Sequence, residues 1–444
     1  MDKDPKIGLV MLGRPFFDMP LANDFFARVK ETLQEAGVAA EVIEEPVTVP
    51  QEVVALARKL KEMDLAAIIA VQGTFTDAAL ILNLAGNVDL PLLIWAVKEE
   101  PTGERLRLNS FCGLNLGAHA LTAAGKKFKG VYGNPGSPKV EQEVLAFIKA
   151  AGAVQWLKGK RIGLVGHRPA GYYTSNFNEV DLFSTLGVAV DYISLLEVFT
   201  LAGEIDLTGE SALLIAGLAG YDQVDTGAAQ KSLRAYLALK KIIAAKSLDA
   251  VAVECWPDFM AAYGGAACFS LGQLNDDGIV AACEADVNGA VTMLLGQYWS
   301  DQATFLADLV IGEEEKNELT FWHCGAAPRS LMATNARATA GVHPNRKIPL
   351  SLYFPLREGK VTISRLSPDK NGKLRLLLGK GTGLQAPMLF SGNTLPVRLE
   401  TPVGPALDTI LSKGFEHHYV LTYGDYTQEM REFARLLELE TVEL

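Results

Sequence analysis

Short apolar runs alternate with longer stretches of helical periodicity through the first 155 or so residues. Ile7–Leu12 is an unbroken apolar run ended by Gly13 and reads as a strand covered on both faces. Leu21–Ala36 repeats its apolar positions with a helical period and stops at Gly37, a residue suited to a helix C-terminus. Ala39–Ile43 is strand-like, Gln51–Met63 helical, and Leu65–Val71 and Leu92–Ala96 are further buried strands. This rhythm predicts a parallel sheet with helices on both faces, where ligands gather beyond the carboxyl ends of the strands.

The pattern breaks at Trp156–Lys160 and restarts at Ile162–Val165. The loop Gly166-His167-Arg168-Pro169 then resembles Gly13-Arg14-Pro15-Phe16 in combining Gly, Arg and Pro. Val188–Ile193, Ala212–Ala216 and Ala250–Val253 read as strands of a second sheet, with helices over Thr226–Ala245 and Asp286–Gln297. Beyond residue 315 the texture changes. Ser351–Phe354, Lys360–Leu366, Lys373–Leu378, Val397–Glu400 and Tyr419–Tyr423 are short strand-like runs separated by Gly, Pro, Asn and Asp, and Thr427–Leu437 is an amphipathic helix. The expectation is two Rossmann-like α/β domains, 1–158 and 159–314, then an antiparallel, barrel-like β domain with a closing helix, 315–444.

Composition narrows the function. With 49% apolar and 21% charged residues among 444, the chain is globular and too long for one core. A net charge of −11 offers no attraction to nucleic acid or an anionic membrane. The polar opening Met1–Lys6 has no signal-peptide pattern, no apolar run is long enough to span a bilayer, and the five cysteines form no CxxC pair. These features predict a reduced cytoplasmic protein. No GxGxxG or P-loop is present, which disfavours a nicotinamide enzyme.

Candidate chemistry concentrates between Cys283 and Gly325. Glu284 and Asp308 stand 24 residues apart among apolar neighbours, where a carboxylate calls for a cation or proton. Asp286, two residues on, competes with Glu284 for the role. His323 follows Asp308 by 15 residues, and His417-His418 lies ahead of a late strand. Carboxylates and imidazoles at long, unequal spacing point to a metal site assembled by tertiary folding, with an oxygen-rich set that favours Mn²⁺ or Mg²⁺. Cys283 and Cys324 read as small core residues, and His119 as a core histidine. Arg14 and Arg168, each behind a strand-ending Gly or Gly-His, are candidate anion or hydroxyl clamps.

Glu284-Ala285-Asp286, Ala307-Asp308-Leu309, His323-Cys324-Gly325 and His417-His418 together resemble the motifs of the L-fucose/L-arabinose isomerase-like family across essentially the whole chain. The resemblance implies a metal-dependent aldose–ketose isomerase with two α/β domains and a C-terminal β domain. It implies Glu284, Asp308 and His418 as metal ligands, with the two carboxylates moving the proton, and His323 as a fourth ligand of the arabinose branch. The ion is expected to be Mn²⁺, with Mg²⁺ or Co²⁺ as alternatives. Gln72, Thr74 and Phe75 match a Thr-Phe segment, and His119 an Asn-rich stretch that the arabinose branch lends to a neighbouring subunit. A homo-oligomer, trimer or hexamer, with sites at subunit interfaces is therefore implied. Arg14 and the Arg168 loop match neither named enzyme, which points to a different substrate such as a sulfonated hexose. A non-catalytic sugar-binding or sugar-responsive regulatory protein on the same fold is the alternative.

Overall fold

The computed structural model describes residues 4–444; Met1–Lys3, the start of the polar opening, lie outside the described residues. The chain divides into two compact units, residues up to Trp156 with Gln428–Leu436, and Leu157–Thr427 with Leu437–Leu444.

The first unit is built on a parallel sheet of β1 (Lys6–Leu12), β2 (Ala39–Val42), β3 (Ala67–Gln72), β4 (Leu92–Ala96) and β5 (Lys129–Tyr132), in the order β2-β1-β3-β4-β5. All of β3 and β4 is buried because helices cover both faces, so these strands read as continuous apolar runs rather than alternating ones. Helix Met19–Glu35 begins where Asp18 accepts the Leu21 N–H, two residues before the predicted periodicity becomes visible. The closing helix Thr427–Leu437, assigned by its sequence position to the third domain, packs on this unit. Glu432 pairs with Lys129 at 2.5 Å, and Arg435 donates to the Phe128 carbonyl at 2.9 Å.

The second unit holds two sheets. β6 (Arg161–Val165), β7 (Ala189–Ile193), β8 (Ala250–Val253) and β9 (Val280–Ala282) form a parallel sheet in the order β7-β6-β8-β9. Ala212–Ala216, expected as one of its strands, is instead part of the helix Glu210–Ala216. Five apolar residues carry no period that separates strand from helix, and Leu213 is 71% exposed, unlike any buried strand position.

The larger sheet contains β10 (Phe305–Glu313), β11 (Glu318–His323), β12 (Thr339–Val342), β13 (Pro349–Pro355), β14 (Gly359–Pro368), β15 (Leu374–Gly383), β16 (Asn393–Leu399), β17 (His418–Tyr423) and β18 (Glu440–Glu443). Six of them close antiparallel in the circuit β16-β11-β10-β17-β14-β15-β16, the barrel that the short strands beyond 315 predicted. β16 extends further back than the predicted Val397–Glu400 because Pro396 lies inside it, and a proline demotes a strand in a sequence reading. β10 lies before residue 314 yet pairs with β11 and β17, so the barrel begins there.

Candidate active site

The carboxyl edge of the β6–β9 sheet and one end of the barrel each deliver polar side chains to a common place. Past β9 the chain turns through Glu284 and Ala285, both left-handed at φ 55°, a conformation uncommon for two successive residues with side chains. The turn is held by the Ala285 N–H on the Val253 carbonyl at 3.0 Å. It ends at Asp286, whose Oδ1 accepts the Gly289 N–H at 2.8 Å and caps helix Val287–Ser300. In the barrel, β10 and β17 pair with Asp308 directly opposite His418, which puts both side chains on one face.

Glu284, Asp308, His417 and His418 therefore converge. His418 Nε2 lies 3.4 Å from Asp308 Oδ1 and 3.8 Å from Glu284 Oε2. His417 Nε2 lies 3.2 Å from Glu284 Oε2 and 3.8 Å from Asp308 Oδ1. Glu284, His417 and His418 place one donor atom each within 4.8 Å of one another, and Asp308 Oδ1 lies within 3.8 Å of both imidazoles. Oxygen and imidazole donors at these separations suit a hard divalent cation, and no thiol enters the set.

The two histidines differ in what stands behind them. His418 is buried, and its Nδ1 donates to Asp286 Oδ2 at 3.0 Å, which leaves Nε2 as the free lone pair facing the carboxylates. His417 is partly exposed and, among the described residues, has no such support. Behind Asp286 lies Arg365, fully buried, gripping Asp286 through Nη1 at 2.5 Å and Nη2 at 3.1 Å, with Glu416 3.5 Å from its Nε. Gly289 permits this packing, since a Cβ there would meet Asp286 Oδ2 at 2.5 Å.

The electrostatics follow from this nesting. Burial would raise Asp286, but the Arg365 guanidinium and the His418 hydrogen bond hold its carboxyl well below the ordinary range. Burial would likewise raise Glu284; His417, His418 and the Trp256 N–H outweigh it and keep the carboxylate charged. His418, which burial would lower, is raised by Asp286, Asp308 and Glu284. Without a cation its Nε2 thus holds a proton readily, and a bound metal would displace that proton. Trp256 Nε1 donates to Glu284 Oε1 at 2.9 Å, and Tyr172 lies edge-on to both Trp256, at 4.9 Å, and His417, at 5.8 Å.

The remaining predicted residues are distributed as follows. The buried His323 ring is 5.9 Å from that of His418, and its Nδ1 accepts the Cys324 N–H at 2.9 Å, an arrangement that leaves the hydrogen on Nε2. Arg168, on the loop after β6, lies over the Tyr173 ring at 4.9 Å. Arg14, Gln72, Thr74, Phe75 and His119 belong to the first unit. Gln72 and Thr74 are buried there; Gln72 Nε2 donates to the Thr74 carbonyl at 2.7 Å, and the Arg14 N–H to Thr74 Oγ1 at 2.9 Å. The Arg14 guanidinium pairs with Asp77, and Phe75 packs against Phe17. His119 is exposed on helix Ser110–Ala123 rather than in the core, because its turn of the helix carries His119 to the face opposite Leu114 and Gly117. Cys283 and Cys324 are buried beside Cys255 and Cys268, at 3.0 Å and 3.7 Å between sulfurs.

Sequence reading overlooked Arg365, Trp256, Tyr172 and the supporting role of Asp286. For Arg365 a signal existed: it shares the phase of Val361 and Ile363, the apolar phase of its strand, where an arginine must be buried and paired. Trp256 and Tyr172 carry no comparable mark.

His343 adds a pH-dependent element. Its Nδ1 accepts the N–H groups of Asn345 and Arg346 at 3.3 and 3.4 Å, and burial and the Arg346 charge pull its pKa down to about 4. Above the ordinary histidine value, about 6.5, neither folded nor unfolded chain protonates it. As pH falls from there to about 4, only the unfolded chain binds the proton, and stability declines by up to roughly 1.4 kcal/mol per pH unit. In H343N, whose amide oxygen can accept the same N–H groups, urea unfolding at pH 7 and pH 5 should show a smaller acid loss than the unsubstituted protein. Equal losses would remove His343 as the source.

Residues 8–158 match the family model described as fucose/sulfoquinovose isomerase, N-terminal domain, and residues 322–444 match L-fucose isomerase, C-terminal domain. The chain is 35% identical to the sulfoquinovose isomerases of Priestia aryabhattai and Priestia megaterium, with 97% of this chain and of each relative covered. It is 34% identical to the sulfoquinovose isomerase of Alkalicoccus urumqiensis, over 84% of both chains.

Proposed function

The chain belongs to the fucose/sulfoquinovose isomerase family and is an aldose–ketose isomerase; we propose that it converts an anionic sugar, sulfoquinovose or a close relative, at the Glu284–Asp308–His418 cluster. The observation that carries the site is the nested set in which Arg365 holds Asp286, Asp286 holds His418, and His418 Nε2 faces both carboxylates. Glu284, Asp308 and His418 would hold a divalent cation, Mn²⁺ in our reading with Mg²⁺ or Co²⁺ as alternatives. His323 would stand by as a hydrogen-bond donor instead of a fourth ligand. A bound cation supplies electrophilic polarisation of the substrate carbonyl and offsets the charge of the enediolate.

The protein's own groups account for the proton. One carboxylate takes the C2 hydrogen of the open-chain aldose as a proton while the carbonyl oxygen on C1 gains one, giving an enediol. The hydroxyl on C2 then loses its proton and C1 receives one, which yields the ketose with no net redox change. Glu284 suits the role of base because His417 and Trp256 keep it charged and oriented. His417, partly exposed and hydrogen-bonded to Glu284, suits exchange of that proton with the neighbouring substrate oxygens or solvent.

We further propose three modules, with the second boundary drawn before β10, a cytoplasmic location, and a trimer or hexamer in which exposed His119, with Asn115 a turn earlier, reaches a neighbouring subunit's site. Arg14, Gln72, Thr74 and Phe75 would then shape that pocket through the loops they hold.

The test is ketose formation from L-fucose, L-arabinose, D-arabinose and 6-deoxy-6-sulfoglucose, with chelated protein and with Mn²⁺ restored. Conversion of the sulfonated sugar that vanishes on chelation and returns with Mn²⁺ is expected. Full activity after chelation would overturn the metal assignment, and conversion of the neutral sugars alone would overturn the anionic substrate.

A further inference from the structure

Arg346 is a cation seated beside the site without an acidic partner. It lies in the turn between β12 and β13, half-buried, with its guanidinium carbon 4.0 Å from the centre of the Trp256 ring. Trp256 in turn donates to Glu284, and Tyr172 closes against Trp256 and His417. The chain of contacts from Arg346 to the carboxylates is thus one indole long. Among the described residues no carboxylate lies within ion-pair distance of Arg346, whereas Arg161 and Arg398 each have one and Arg365 has two. The turn is anchored from beneath by His343, which accepts the Asn345 and Arg346 N–H groups. In a protein of net charge −11, a fixed guanidinium left uncompensated next to two acids is poised for an anion from outside.

The geometry points to Arg346 as the residue that recognises the charged end of the substrate: its guanidinium binds the sulfonate at C6 while C1 and C2 lie against Glu284 and Asp308. This rests on the anionic-sugar reading above. A guanidinium fork matches the oxygens of a sulfonate, and the indole beneath Arg346 holds that fork at a set distance from Glu284. The separation matters in its own right. A sulfonate bound nearer the acids would compete with the reacting oxygens for the cation, and Trp256 stands in the way of that. Arg168 is the competing cation, but it rests on Tyr173, 75% exposed, with no hydrogen bond linking it to Glu284.

Arg346→Gln, Arg346→Lys and Arg168→Gln in the full-length, Mn²⁺-loaded protein test this. The quantity read is kcat/KM for 6-deoxy-6-sulfoglucose relative to neutral 6-deoxyglucose. R346Q should lower that ratio about 10–100-fold, through KM for the sulfonated sugar, the size of a lost hydrogen bond to a charged group. R346K should recover part of it and R168Q leave it near its starting value. An unchanged ratio in R346Q, an equal fall for both sugars as a loosened Trp256 would cause, or the loss appearing in R168Q instead would each overturn the role of Arg346 while leaving the anionic substrate standing. A wild-type protein that treats the two sugars alike would overturn both.

Discussion

With Glu284 replaced by glutamine, turnover is expected to fall by about 10²–10⁴-fold, the range for removal of a positioned acid–base group. Glutamine keeps the shape of the side chain, its Oε1 can still accept the Trp256 N–H now made at 2.9 Å, and the left-handed turn at 284–285 is unaffected. What disappears is the charge that His417 and His418 stabilise, and with it both the base and one donor for a cation. The measurement is ketose formation at saturating Mn²⁺, alongside circular dichroism and thermal melting to show an intact fold. Activity within tenfold of the unsubstituted enzyme would move the base to Asp308 alone.

The largest effect on stability is expected at Arg365. Its guanidinium is fully buried and compensates two carboxylates, Asp286 through two hydrogen bonds and Glu416 at 3.5 Å. Arg365→Met fills similar volume but leaves both acids buried without a cation, a change that costs about 3–5 kcal/mol when one side of a buried pair is removed. Asp286, freed from the arginine, would also orient His418 less firmly, so metal affinity should drop roughly 10–100-fold. Urea unfolding followed by tryptophan fluorescence reads the first effect and calorimetric Mn²⁺ titration the second. A loss below about 1 kcal/mol would mean that Asp286 and Glu416 take up protons at little cost once the arginine is gone. Retained metal affinity would detach Asp286 from the support of His418.

Much of the architecture was legible in advance because strands covered on both faces must be apolar throughout and antiparallel ones are cut by turn residues. Ile7–Leu12 and Leu65–Val71 could be nothing but buried elements, and the breaks at Gly, Pro, Asn and Asp beyond 315 marked a meander that closes as a barrel. The same logic failed at Ala212–Ala216, where a short apolar run fits either period. Likewise Glu284, Asp308 and the His417-His418 pair stood out because charge among apolar neighbours is costly and so demands a partner.

Which partner each residue has was beyond reach of the sequence. That Asp286 stands behind His418 depends on a capping turn that aims its side chain at the imidazole Nδ1. That His418 faces Asp308 depends on the register of β10 with β17, where a slip of one residue would send His417 there instead. His323 was expected as a fourth ligand only from the resemblance, and the fold alone reveals that its Nδ1 accepts the Cys324 N–H. Arg346 and Trp256 are 90 residues apart in the chain and meet only because the turn between β12 and β13 reaches the segment just past β8. The chain by itself therefore determined its fold class and most of its buried strands, since burial and period act locally. Tertiary structure alone decided the division of labour among those residues, because hydrogen-bond direction and strand register join segments that no local pattern connects.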